Sequence, residues 1–135
     1  MKIYRTLSAL VMVGIAGCVP STVSYVYVQE ANGHSCELVV EQALVSVGLN
    51  ISRPNEAPKE IQSRLNQNTL LLFDGAPALG VFGNVERDDN LKKLMIAFLE
   101  RSREFSPQAL SIRGALVERL QAECGTVDVR EKRED

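Results

Sequence analysis

The first seventeen residues have the layout of a secretory signal peptide, and they determine how much of the chain is left to fold. Residues 1–5 carry two positive charges, and residues 7–17 are uncharged, mostly apolar and end in small side chains. This run is shorter than the roughly 20 apolar residues that a membrane-spanning helix needs, and Pro20 prevents its extension as a helix. We therefore expect residues 1–17 to be removed on export.

An apolar residue, two small residues and a cysteine close this run, as Ile15, Ala16, Gly17 and Cys18. The tetrapeptide resembles the lipobox of bacterial lipoproteins, and the resemblance covers the first eighteen residues only. It implies that Cys18 becomes the mature N-terminus and carries a thioether-linked diacylglycerol, often with a third acyl chain, such as palmitate, on its amine. Two or three acyl chains give stable membrane anchoring, at about 0.8 kcal/mol per buried methylene. The alternative is an ordinary cleaved signal peptide with an incidental cysteine.

The residue after the cysteine bears on which membrane holds the anchor. Val19 stands there rather than aspartate, so the resemblance to Gram-negative lipoproteins implies the periplasmic face of the outer membrane. The extracytoplasmic face of the cytoplasmic membrane is the alternative. Loss of Lys2 and Arg5 leaves 13 basic and 17 acidic side chains, a net charge of about −4. Because basic residues are spread among acidic ones, we expect no nucleic-acid binding.

The 118 residues from Cys18 onward suit one small domain. We predict a lipidated tether at residues 18–22, a single globular domain at residues 23–130 and a charged tail at residues 131–135. This division leaves room for one hydrophobic core and not for two.

Two further cysteines, Cys36 and Cys124, are available to the folded domain. One disulfide is their simplest interpretation, because the periplasm is kept oxidising. A metal pair or two buried thiols are the alternatives, although one histidine and no Cys-x-x-Cys leave too few ligands for zinc. Both cysteines lie on apolar stripes of predicted helices. Antiparallel packing of those helices would bring the Cα atoms within the roughly 4.4 to 6.8 Å that a disulfide spans. We also expect this bridge to lie close to the tether.

The apolar patterns predict both strands and helices. Strands are expected over residues 23–29, 49–51, 69–73, 78–82 and 126–130. Helices are expected over residues 36–47, around 61–65, from Asp88 through a stripe of Leu91, Leu94, Met95, Phe98 and Leu99, and over 106–124. Residues 40–51 and 117–128 both run helix, glycine, strand, as an α/β unit does when it returns to its sheet. The predicted fold is α/β (α+β), a two-layer sandwich whose mixed sheet has helices packed on one face.

Residues with catalytic potential are few. His34 is the single imidazole, so a Ser-His-Asp site would depend on it, with Asp74, Glu86 or Asp88 as a partner. Its place at a turn before a helix fits capping instead. Asp88 and Asp89 could hold a cation, but no third oxygen ligand follows at a recognisable spacing, which favours a helix cap.

Gly80 and Gly83 also do not form a ligand-binding motif. They lack the third glycine and the following helix of a dinucleotide loop, so we predict a strand with close backbone approaches. The sequence therefore predicts no catalytic residue, no metal site and no cofactor.

Two function classes remain open. The favoured class is a non-enzymatic, lipid-anchored cell-envelope lipoprotein, a periplasm-facing interaction or assembly module with an envelope protein as its partner. The alternative is a small cell-wall hydrolase, or an inhibitor of such a hydrolase, tethered at the membrane. A cleft converging on His34 and a carboxylate would favour the enzyme, whereas a flat apolar patch of several hundred Å² would favour the binding module.

Overall fold

A computed structural model describes residues 20–30, 35–75, 80–88 and 90–131. The strands in these ranges are β1 (Thr22–Glu30), β2 (Asn50–Ser52), β3 (Thr69–Asp74), β4 (Val81–Asp88), β5 (Lys93–Glu100) and β6 (Gly125–Arg130). The helices are α1 (Glu37–Ser46), α2 (Lys59–Gln62) and α3 (Pro107–Glu123), with a 3-10 turn at Pro54–Glu56. The predictions made for the signal peptide, Cys18, His34 and Asp89 lie outside the described residues.

One open sheet contains the six strands in the order β2-β3-β4-β5-β1-β6. Every neighbouring pair is antiparallel, so the domain is α+β and the prediction of a mixed sheet is wrong. Helix α3 connects β5 to β6, and these two strands run in the same direction, as the helix, glycine, strand pattern indicated. However, β1 lies between β5 and β6, so the two strands that share a direction are not neighbours.

The helix predicted from Asp88 onward is wrong, because β5 occupies this stretch and lies inside the sheet between β4 and β1. Leu94 and Phe98 have helical spacing, but every residue between them is also apolar, so the same stretch fits a strand equally well. Such a run is typical of a strand buried on both faces, and periodicity alone cannot separate it from a buried helix. Asp88 accepts a hydrogen bond from the Leu91 backbone N–H at 3.2 Å. It therefore caps the turn between two strands and not a helix.

The main core lies between one face of the sheet and helices α1 and α3. Its fully buried side chains alternate along the strands and line one side of each helix; they include Val26, Val28, Val40, Leu44, Leu71, Phe73, Val85, Leu94, Ile96, Phe98, Leu116 and Leu120. We call this side of the sheet the covered face. The helix predicted over residues 106–124 is confirmed, since α3 runs unbroken from Pro107 to Glu123.

Gly83 is where the covered face packs most closely. Its neighbours across the sheet are Phe73 on β3 and Phe98 on β5, whose ring centroids are 6.2 Å apart. A β-carbon at this position would lie 2.6 Å from Cζ of Phe73 and would also collide with the backbone oxygen of Ala97. The close backbone approach predicted for residues 80–83 is therefore confirmed at Gly83.

Cys36 and Cys124 lie at disulfide distance, with their Cα atoms 5.8 Å apart. They stand at the start of α1 and the end of α3, so the two helices run antiparallel, and Arg119 reaches the Gln42 carbonyl at 3.3 Å further along. The expectation that this pair lies near the tether is wrong. The nine residues of β1 carry the chain roughly 27 Å from the tether before α1 begins.

Candidate functional site

The second face of the sheet is only partly covered. Leu72 points away from the main core and packs with Ala57 and Ile61, which come from the short helical segments between β2 and β3. This small cluster around Leu72 is separate from the main core that α1 and α3 cover. Beyond this cover the second face continues across β4, β5 and β1, and we call this part the open face.

A groove of about 340 Å³ occupies the open face. Its apolar lining consists of Val23, Tyr25, Leu65, Leu72, Phe82, Met95, Ala97 and Leu99, and its polar side chains are Asn84 and Glu86. We call it the open-face groove. Because its lining comes from β1, β3, β4, β5 and the segment after α2, it exists only once the sheet has assembled.

Two polar side chains lie on the floor of the groove. Glu86 is 6% exposed and accepts a hydrogen bond from Nδ2 of Asn66 at 2.9 Å. Asn84 is half-buried and stands in a row across the strands with Leu72, Ala97 and Tyr25. Within the described part of the chain, no hydrogen bond from the Asn84 amide is found. Its donor and acceptor groups are therefore available to a ligand in the groove.

The character of the open face changes along β1. Beyond the groove, Tyr27 leads to a smaller polar depression that also involves Gln29 and Thr126. Nζ of Lys93 lies 4.8 Å and Cζ of Arg130 lies 5.8 Å from the centroid of the Tyr27 ring. The open face is thus apolar near the start of β1 and carries mixed polar groups near its end.

A charged cluster holds the end of β1 against the start of α1. Two Arg87 nitrogens contact the Glu30 carboxylate, at 2.5 and 3.2 Å, and Arg87 also donates to Oγ of Ser35 at 3.0 Å. The backbone N–H of Cys36 donates to Glu30 at 2.6 Å. Burial raises the pKa of Glu30, but the hydrogen bonds from Arg87 and Cys36 outweigh it and hold that pKa below its ordinary value. The cluster is structural and stabilises the end of the domain that holds the cysteine pair.

Acid should weaken the domain through Glu30. A carboxyl whose pKa is lower when folded contributes stability above its unfolded pKa, about 4.5, and loses it as the pH falls through the folded pKa. Urea unfolding between pH 6 and pH 3 should therefore show a steeper loss of unfolding free energy for the native protein than for Glu30→Gln. The matched control is Glu131→Gln, whose side chain is 64% exposed in its pair with Arg113. Parallel pH profiles for native protein and Glu30→Gln would contradict this.

The carboxylates considered for catalysis do not lie close together. Asp74 is paired with Phe82 near the start of β4, whereas Asp88 ends that strand six residues later, roughly 20 Å away. Glu86 lies in the open-face groove. Among the residues that the structure describes, no group of three His, Cys, Asp or Glu side chains is placed to hold a metal ion. His34 lies outside the described residues, so its role stays a prediction.

The open-face groove was not predicted from the sequence. Assigning residues 91–99 to a helix removed Met95, Ala97 and Leu99 from the sheet, and without β5 the open face cannot be assembled. One available signal was that residues 94–99 are apolar at every position, which is typical of a central strand.

Comparison with models of known protein families gives no match for this sequence, and comparison with curated proteins gives none. Over the described ranges, no helix combines the length and apolar character needed to cross a bilayer.

Proposed function

We propose that this protein is a lipid-anchored lipoprotein of the bacterial cell envelope, held through Cys18 at the periplasmic face of the outer membrane. Its domain is a non-enzymatic interaction or assembly module. The observation that carries the proposed binding role is the open-face groove, since ligand sites are commonly concave and lined mainly by apolar side chains with a few polar groups.

In this proposal the domain works as a two-layer sandwich. The first layer is the sheet and the second is the pair α1 and α3, which together bury the main core. Because that core is complete without the open face, side chains such as Val23, Tyr25 and Leu99 are left half-buried. These side chains can contribute apolar contacts to a partner without loss to the domain's own packing.

The proposed occupant of the groove is an apolar segment of an envelope protein. Protein interfaces have an apolar centre surrounded by a polar rim, and the open face has this composition, with the polar depression around Tyr27 next to the groove. The tether adds a constraint of distance. Val23 at the groove is five positions after Cys18, so an anchor at Cys18 holds Val23 within about 17 Å of the lipid attachment point. The partner must therefore present its segment near the membrane surface.

The anchor is tested by replacing Cys18 with serine. Intact mass of the native protein extracted from membranes should show residues 1–17 removed and acyl mass added, whereas Cys18→Ser should leave the membrane fraction. Val19→Asp is the matched control: the acyl mass should remain, and the protein should move from the outer to the inner membrane fraction. A Cys18→Ser protein that still fractionates with membranes as the native protein does would contradict anchoring by lipid.

A further inference from the structure

We propose that the open-face groove recognises an extended apolar peptide segment and that the Asn84 side chain pairs with the backbone of that segment. This inference rests on the proposed function, because it specifies the chemistry of the partner at the same site. It assigns to Asn84 a binding role that no sequence motif indicates.

The amide of Asn84 is the first argument for a peptide. It lies among apolar side chains in the groove, half-buried, without a hydrogen bond to any part of the chain that the structure describes. A primary amide offers both an acceptor and donors, which match the N–H and C=O of one peptide group. An alkyl chain in the groove would displace water from Asn84 and supply no replacement, which is unfavourable.

The spacing of the groove residues is the second argument. Leu99, Ala97 and Met95 follow one another at alternate positions of β5 and all line the groove. Alternate residues of a strand are about 6.6 Å apart, which is also the repeat of side chains on one side of an extended peptide. The small side chain of Ala97, beside Asn84, leaves room for a backbone to approach. Leu99 and Met95 then flank it with apolar contacts.

Charge limits which segments fit. Among the described residues that line the groove, Glu86 is the charged one, and it is almost fully buried. A carboxylate brought close to Glu86 would be repelled. The segment that binds is therefore not acidic near Glu86.

The test uses N-acetyl-leucine methylamide, which carries one large apolar side chain between two peptide groups. Its binding to the full-length protein in lipid nanodiscs is titrated by saturation-transfer NMR, with empty nanodiscs as the blank. Asn84→Leu keeps the number and branching of the side-chain heavy atoms and makes the groove more apolar, but removes the amide. We expect this variant to bind the probe roughly five- to tenfold more weakly, the effect of one or two lost hydrogen bonds. The control Asn55→Leu, an exposed residue outside the groove lining, should bind as the native protein does.

Unchanged or tighter binding of the probe by Asn84→Leu would overturn the inference. Thermal unfolding establishes that each variant is folded, and Asn84→Ala replaces Asn84→Leu if the latter does not fold, with the same expected direction. Crosslinking from the groove to an envelope protein, combined with an unchanged Asn84→Leu affinity, would keep the proposed function and discard this inference.

A lipid chain as the occupant is distinguished in the same nanodiscs. Once residues 1–17 are removed, Tyr25 in the groove and Tyr27 next to it are the chain's tyrosines, and the chain has no tryptophan. With brominated lipids, a lipid chain in the groove would quench tyrosine fluorescence, and the probe would relieve that quenching. We expect the probe to leave the quenching unchanged. Relief by the probe would show a lipid chain in the groove and overturn the inference.

Discussion

Gly83→Val should leave no cooperative unfolding transition, and Gly83→Ala should lower the free energy of unfolding by about 3 kcal/mol or more. A β-carbon here meets the backbone of β5 at Ala97 as well as the ring of Phe73. Backbone in the middle of a sheet cannot move aside as a flexible side chain can, so the strain exceeds that of ordinary overpacking. The expected loss is a large part of the 5 to 15 kcal/mol typical of a whole domain. Urea unfolding followed by circular dichroism measures it.

Gly114→Ala is the matched control for this substitution. Gly114 lies inside α3, where an added β-carbon meets nothing within 4 Å. Alanine is favoured over glycine in a helix interior by up to about 1 kcal/mol, so this variant should be slightly more stable than the native protein. A Gly83→Ala protein within 1 kcal/mol of the native value would contradict the packing described around Phe73 and Phe98.

Loss of the bridge between Cys36 and Cys124 should cost about 4 to 5 kcal/mol of unfolding free energy. The two residues are 88 positions apart, and the chain-entropy estimate for a closed loop of that length gives this value. The paired substitution of both cysteines by alanine should therefore unfold at much lower urea concentration. Reduction of the native protein should lower its midpoint by a similar amount.

Thiol counting gives the covalent state directly. The native protein, denatured without reductant, should show no reactive thiol if, as we propose, the Cys18 sulfur carries a thioether-linked lipid and the other two cysteines are bonded to each other. After reduction it should show two. Two reactive thiols before reduction would contradict the disulfide, and equal urea midpoints for native protein and the paired substitution would contradict its stabilising role.

Local features of the fold could be read from the sequence. Ser106 and Pro107 were predicted to start the last helix, and Oγ of Ser106 does accept a hydrogen bond from the Ala109 backbone N–H at 3.1 Å. Gly48 was predicted to end the first helix and has a positive φ of 92°. Caps involve residues within one turn of each other, so their chemistry is visible in a short window.

Features that depend on distant residues could not be read in this way. Lys93–Glu100 was assigned to a helix because its place in the sheet depends on pairing with β4 and β1, which a local window does not contain. Glu30 and Arg87 form an ion pair although they are 57 positions apart in the sequence. No local sequence pattern indicates this pair.

The same difference between local and distant residues applies to the candidate site. The predicted anchor at Cys18 rests on the first eighteen residues, a basic head, an apolar run and the closing tetrapeptide, and needs no folded structure. The open-face groove draws its lining from segments between Val23 and Leu99, so it becomes visible only when the order and register of the strands are known. Asn84 has no sequence signal of its own, since an isolated asparagine in a strand is usually a solvent-facing residue.

Site-specific photocrosslinking in intact cells tests the central claim most directly. A photoreactive amino acid is placed at Leu99 or Val23, which line the groove, or at Glu118, which is exposed on α3. Both groove positions should form an adduct with the same envelope protein, and Glu118 should not. Adducts from Glu118 alone, or equal adducts from all three positions, would contradict the claim that the open face is the binding surface.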